Sequence, residues 1–251
     1  MRIVDAHAHL GLDPVFDVDF TEQSLLDSQE LNGIDVTLVQ PPTVHTLEEV
    51  RQCHDAVADL ARRYPGRFCG IACPNPHLPG TQFEDEVRRC IEELGFVGLK
   101  LHPFGHATNP LGTHGRRVFE TARKLGVPAM VHTGPGIPWT LPSLLFPIAR
   151  DNPDLRIVVA HAGHNMLAAE AGLLAESCPN VYLEPSWVGG HTILHWVRAL
   201  GPHRVMFGSD HGENAAVELA KYRSLGLSDA ELSLVLGGTA GAVFGLSAGG
   251  C

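Results

Sequence analysis

The feature that most constrains this fold is a regular alternation of short apolar segments with longer amphipathic ones. Strand-like segments recur from residues 3–10 to residues 204–207, and helical patterns such as residues 47–64 and 113–125 separate them. This alternation is typical of parallel strands joined by crossover helices. Eight such units in 251 residues match the usual size of a closed barrel. The sequence therefore predicts an α/β fold, a (β/α)8 TIM barrel.

An open, doubly wound sheet is the alternative architecture, but no Gly-x-Gly-x-x-Gly fingerprint follows the first strand. Residues 228–246 are predicted to form one or two terminal helices that cover the barrel. No linker, low-complexity run or change in composition interrupts the sequence. Residues 1–251 are therefore predicted to form a single domain.

Composition excludes several classes of partner. The chain has 18 lysines and arginines against 28 aspartates and glutamates, a net charge of −10, and no basic block, so a nucleic-acid partner is not expected. No apolar run approaches the roughly 20 residues that span a bilayer. The six cysteines are scattered without a Cys-x-x-Cys pair, and no secretory leader pattern opens the sequence. Free thiols and a cytoplasmic location are the expectation.

Histidines gather where the predicted strands end. Seven of the 15 histidines lie at the carboxyl ends of five strands: His7, His9, His102, His132, His161, His164 and His211. In a barrel those ends open onto one face. His7 and His9 share a face of an extended strand and could converge on one divalent ion, although two ordinary polar residues at a strand end would explain that pair alone. Imidazoles with one carboxylate suit zinc, and also iron, manganese, cobalt or nickel.

Motifs along nearly the whole chain resemble the amidohydrolase superfamily, in its amidohydrolase 2 branch, which includes aminocarboxymuconate-semialdehyde decarboxylase. The motifs are Asp5-Ala6-His7-Ala8-His9, Gly98-Leu99-Lys100-Leu101-His102-Pro103, Val131-His132-Thr133-Gly134, Ala160-His161-Ala162-Gly163, Phe207-Gly208-Ser209-Asp210-His211 and Leu236-Gly237-Gly238-Thr239-Ala240. As a set they are specific for the family and uninformative about the substrate.

The resemblance implies a role for each matching residue. One divalent metal, zinc by preference, would be held by four ligands: His7, His9, His132 and Asp210. His161 matches the histidine that contacts the metal-bound water or the substrate. The family usually has glycine where this chain has His164 and asparagine where it has Thr239. His164 is expected to shape the pocket or to cap the following helix.

Lys100 and His102 are expected to point into the barrel from the fourth predicted strand, and Glu184 from the seventh. We predict Lys100, His102, His164 and Glu184 as substrate contacts. An ion pair of Lys100 with Asp5 or Glu184 is the alternative, and so is a carboxylated Lys100 that bridges two metals.

Three functions remain open at this stage. The first is hydrolysis of a small amide, lactone or ester by metal-activated water, with Asp210 as general base and His161 as a catalytic residue. The second is non-oxidative decarboxylation of a small aromatic or unsaturated acid. The third is a non-catalytic metal-binding scaffold. Short βα loops predict a compact pocket for a small substrate, and a homodimer is expected.

Overall fold

The computed structural model describes residues 1–247, and its centre is a curled sheet of seven parallel strands. The strands of the molecule are β1 (Val4–His9), β2 (Gly11–Asp13), β3 (Val18–Phe20), β4 (Val36–Gln40), β5 (Phe68–Ala72), β6 (Gly98–Leu101), β7 (Ala129–His132), β8 (Ile157–Ala160) and β9 (Val181–Glu184). The sheet order is β1-β4-β5-β6-β7-β8-β9, while β2 and β3 form a separate antiparallel hairpin.

Residues 205–210 close the ring between the two edge strands. The Ala6 N–H donates to the Phe207 carbonyl at 3.0 Å, and the Met206 N–H donates to the Leu183 carbonyl at 2.9 Å. The eighth predicted strand therefore lies where expected, but it pairs through isolated bridges instead of a continuous ladder. The predicted barrel is confirmed.

Helices surround the sheet, and each falls close to a predicted one. They are α1 (Glu22–Asn32), α2 (Leu47–Arg63), α3 (Gly80–Arg88), α4 (Thr113–Lys124), α5 (Leu145–Asp151), α6 (His164–Ser177), α7 (Gly190–Leu200), α8 (Ala215–Ser224), α9 (Asp229–Ser233) and α10 (Thr239–Phe244). A π-helical turn extends α3, and another joins α9 to α10.

Local chemistry explains the clearest helix boundaries. Thr46 accepts from the Glu49 N–H while the Glu49 carboxylate bonds back to Thr46, which is the capping box that starts α2. Gly33 ends α1 in the left-handed conformation, with φ 69°. The sequence of residues 141–150 favours a helix, but the segment begins with a 3₁₀ turn at Pro142–Leu144, and α5 starts only at Leu145.

Two apolar layers surround the strands. Side chains such as Leu38, Met130 and Val158 fill the barrel interior, and a larger cluster packs between strands and helices. Among the described residues, no helix is both long and apolar enough to cross a membrane. The interior below the strand ends is thus a packed core, and the open end of the barrel is left for chemistry.

Candidate active site

One buried carboxylate orients two imidazoles at the open end of the barrel. Glu184 ends β9, is 0% exposed and lies 2.7 Å from His7 Nδ1. It also accepts from the Ser186 N–H at 2.8 Å and the Ser186 hydroxyl at 3.2 Å, while Ser186 Oγ lies 2.8 Å from His161 Nδ1. These bonds assign the ring protons of His7 and His161 to Nδ1, so both Nε2 atoms carry a free lone pair. Burial raises the pKa of Glu184 to about 7.

The Nε2 atoms of three histidines surround one oxygen of Asp210. Asp210 Oδ1 lies 3.5 Å from His7 Nε2, 3.3 Å from His9 Nε2 and 4.0 Å from His161 Nε2. The other oxygen, Oδ2, accepts from the Trp187 indole N–H at 2.9 Å. Burial alone would raise the pKa of Asp210, but the surrounding imidazoles outweigh it and hold that pKa well below its usual range. Asp210 is therefore an oriented anion.

This donor set fits a divalent cation. His7, His161 and Asp210 offer ligand atoms within 4.8 Å of one another, and His9 Nε2 is 3.2 Å from His7 Nε2. Metal–nitrogen bonds of about 2.0–2.1 Å at octahedral or tetrahedral angles place neighbouring ligands about 2.8–3.4 Å apart. Burial lowers the pKa of both His7 and His161 well below the usual range, which favours neutral rings, and a histidine that binds a metal, as predicted for His7, must be neutral.

Lys100 lies under this cluster. Its Nζ is 3.0 Å from His7 Nε2, and burial lowers its pKa to about 8. Asp5 accepts from the Ser209 N–H at 2.9 Å and the Ser209 hydroxyl at 2.6 Å, and the alternative ion pair of Lys100 with Asp5 or Glu184 stays a prediction. An ammonium group thus faces the very lone pair that a metal would use.

His102 and His132 stack beside the cluster. Their ring centroids are 4.2 Å apart at 14°, and the ring of His132 meets that of His161 edge-on at 4.8 Å. His102 Nδ1 accepts from the Gly105 N–H at 2.9 Å, which leaves its Nε2–H as a donor. The role of His132 as a metal ligand stays a prediction.

Above these groups is a cavity of about 470 Å³ with aromatic walls. Its lining residues are His9, Asp13, Phe16, Val18, Phe20, His102, Phe104, His132, Pro135, His161, His164, Trp187, Asp210 and His211. Among the described residues, no lysine or arginine lines the cavity. A cavity of this size suits a small molecule with an apolar body.

The hairpin of β2 and β3 forms one wall of the cavity. The sequence of this segment is polar and indicates a loop. Asp13 accepts from the N–H groups of Val15 and Phe16 and so fixes the turn. Phe16 then stacks on Phe104 with ring centroids 5.5 Å apart, and Phe20 lies 5.2 Å from His9. The hairpin thereby encloses the substrate side of the cluster.

The structure brings every predicted metal-site and catalytic residue to this one place, but not every predicted substrate contact. His102 and His164 line the cavity, whereas Lys100 is 1% exposed and Glu184 is 0% exposed. Glu184 orients His7 from behind and is not among the lining residues, and its role as a substrate contact stays a prediction.

The sequence analysis assigned no role to Ser186 or Trp187. Both follow β9, and a polar residue just beyond a barrel strand is the signal that could have drawn attention to Ser186. No pattern in the sequence pairs Trp187 with Asp210, since 23 residues separate them.

Known proteins resemble this chain in sequence. The family model described as Amidohydrolase matches residues 4–246. The 2-keto-4-carboxy-3-hexenedioate hydratase of Sphingobium is 33% identical over 88 residues, which are 32% of this chain and 26% of the hydratase. The gamma-resorcylate decarboxylase of Rhodococcus jostii is 25% identical over 195 residues, 61% of this chain and 59% of the decarboxylase. Each match spans less than two thirds of the relative.

A solved structure resembles nearly the whole fold. The 5-carboxyvanillate decarboxylase of Novosphingobium aromaticivorans, complexed with manganese and 4-hydroxy-3-methoxy-5-nitrobenzoic acid, superimposes with a TM-score of 0.79 at 17% identity. The superposition covers 98% of this chain and 96% of that chain. At this identity the likeness establishes the fold.

Proposed function

The chain belongs to the amidohydrolase family, and on that premise we propose that it is a metal-dependent decarboxylase of small aromatic carboxylic acids. The observation that carries the proposal is the cavity, in which the stacked phenyl rings of Phe16 and Phe104 share the lining with the imidazole–carboxylate cluster. Such walls bind a planar ring, while the cluster meets its polar end. Decarboxylation is thus favoured over hydrolysis, which was the first expectation from the sequence.

A divalent metal would be held by His7, His9 and Asp210, with His132 as the further predicted ligand. Zinc is the sequence prediction, and manganese is the ion in the 5-carboxyvanillate decarboxylase; this mix of imidazole and carboxylate accepts either. When bound, the cation supplies a Lewis acid that polarises oxygens of the substrate.

The protein must also deliver a proton. In decarboxylation a proton adds to the ring carbon that bears the carboxylate, the carbon–carbon bond breaks, and its electron pair returns to the ring as carbon dioxide leaves. Either Asp210 Oδ1 or His161 Nε2 can hold this proton; the two atoms are 4.0 Å apart, too far to share it. The His102 Nε2–H can donate to a substrate oxygen, and Phe16 and Phe104 can stack on the ring.

The experiment is a paired substrate screen of the protein loaded with Mn²⁺ or Zn²⁺. Carbon dioxide and the arene product are measured for hydroxybenzoates, including gamma-resorcylate and 5-carboxyvanillate, and acid release is measured for lactones and esters. We expect carbon dioxide from at least one hydroxybenzoate, and loss of that activity in Asp210→Asn.

Acid release from lactones or esters without carbon dioxide would overturn the proposal in favour of hydrolysis. Activity on neither panel would favour the scaffold. The expected homodimer stays a prediction, which the mass of the purified protein in solution tests directly.

A further inference from the structure

His164 adopts a backbone conformation that is nearly reserved for glycine. Its φ is 53° and its ψ is −172°, and the three preceding residues, His161, Ala162 and Gly163, also have positive φ values of 61°, 42° and 78°. A side chain on an L-residue crowds its own backbone in this region, so the conformation is disfavoured for every residue except glycine. Strain of this kind persists where surrounding structure imposes it, and it clusters at functional sites.

The neighbouring loop makes room for the imidazole. A Cβ on Gly134 would stand 2.4 Å from His164 Cδ2 and 3.0 Å from His164 Nε2. Gly134 itself has φ 156°, so a side chain there would be both strained and blocked. The strained backbone of His164 and the absence of a side chain at Gly134 together determine where the imidazole lies.

Helix capping does not account for that ring. His164 is the first residue of α6, and no side-chain hydrogen bond caps this helix. The imidazole instead lines the cavity, half-buried, with its centroid 4.9 Å from that of His161. No hydrogen bond links it to any of the residues that the structure describes.

We propose that His164 is a specificity-determining residue that hydrogen-bonds a hydroxyl group on the substrate ring. The inference rests on the proposed function and deepens it. A neutral imidazole offers one donor and one acceptor, which matches a hydroxyl; a second carboxylate would only accept and would favour an arginine or lysine in the wall. The lining of the cavity, within residues 1–247, contains neither.

The test compares wild type with His164→Gly, His164→Asn and Ala107→Gly. Ala107 is the matched control because it is an exposed residue with φ 48°, outside the cavity lining. Calorimetry with Mn²⁺-loaded protein measures the affinity for benzoate, 2-hydroxybenzoate, 2,4-dihydroxybenzoate and 2,6-dihydroxybenzoate, and thermal unfolding is followed without metal.

We expect His164→Gly to lose at least about tenfold in affinity for the hydroxylated ligand that wild type prefers, and to change less than about twofold towards benzoate. His164→Asn should retain part of the preference, since asparagine tolerates positive φ and also donates and accepts. Ala107→Gly should bind like wild type. Relief of strain should leave the Tm of both glycine variants no lower than that of wild type.

Two failures are distinguishable. If wild type binds none of the four acids, the proposed function is wrong, and this inference, which rests on it, is wrong as well. If wild type binds them but His164→Gly weakens all equally or none, or lowers Tm sharply, the imidazole has a packing role and this inference alone is wrong.

Discussion

Two buried histidine–glutamate pairs in this protein have almost the same geometry, and only one belongs to the active site. His7 Nδ1 lies 2.7 Å from Glu184, and His54 Nδ1 lies 2.8 Å from Glu86; all four side chains are 0% exposed. Each pair also contributes to a cluster whose ligand atoms could hold a metal: His7 to His7–His161–Asp210, and both His54 and Glu86 to His54–Glu86–Cys90. Residue type and distance alone do not tell them apart.

We call His54 and Glu86 the outer pair, and its nitrogen and oxygen atoms are all engaged by other groups of the protein. His54 Nε2 accepts from the Cys73 N–H at 3.0 Å, and Glu86 receives Arg51 and Arg89 in addition to His54. Burial raises the pKa of Glu86, but the hydrogen bonds from His54 and the two arginines outweigh it and hold that pKa far below its usual range. Every polar atom is committed, so this cluster connects α2, α3 and the end of β5 as a structural element.

The active-site pair is left incomplete. The donor at His7 Nε2 is the ammonium group of the Lys100 side chain, and no arginine within residues 1–247 offsets the burial of Glu184, whose pKa rises to about 7. A cation could displace the Lys100 ammonium from His7 Nε2 and bind the imidazoles that converge there. The outer pair offers no such exchange, because its hydrogen bonds are complete. The comparison predicts different consequences for equivalent substitutions.

The largest expected effect is at the outer pair. Glu86→Gln removes the carboxylate that compensates Arg51, Arg89 and His54, and we expect the free energy of unfolding to fall by about 3–5 kcal/mol. Urea denaturation measures this change, and the Mn²⁺ content should stay that of wild type. Loss of metal together with stability would mean that the two clusters are coupled, against the comparison.

The equivalent substitution in the active site should affect metal binding instead. Glu184→Gln weakens the orientation of His7 and His161, and affinity for the metal should fall about 10–100-fold. Isothermal titration with Mn²⁺ measures it, with Glu86→Gln as the control. An unchanged affinity would contradict the orienting role assigned to Glu184.

The sequence predicted the active-site cluster but not the structural role of the outer pair. The barrel and the gathering of His7, His132, His161 and Asp210 follow from strand periodicity, because the carboxyl ends of parallel strands meet at one face. No periodicity distinguishes His54, which lies on a helix, as a satisfied core residue. That distinction depends on the Cys73 N–H, a backbone contact 19 residues away along the chain.

Two further features depended on three-dimensional context. The β2–β3 hairpin has strands of three residues, too short for an alternating pattern, so its sequence indicates a loop. The left-handed turn at His161–His164 opposes the intrinsic preference of three of its four residues, so no propensity could predict it. Tertiary structure overrides the local signal in both places.

The smallest of the three effects sharpens the comparison at the one donor that differs between the pairs. In the outer pair the donor to Nε2 is a backbone N–H, which cannot leave; in the active site it is Lys100, whose ammonium competes with a metal for His7 Nε2 and repels it. With a pKa lowered to about 8, Lys100 is still charged at pH 7. Lys100→Met keeps an unbranched side chain, one atom shorter, and removes the charge, so affinity for Mn²⁺ should rise by about tenfold. Lys124→Met, which removes an exposed charge elsewhere, should leave the affinity unchanged, and calorimetry on both variants decides the point. Equal or weaker binding in Lys100→Met would show that the ammonium supports the ligands instead of competing with the cation.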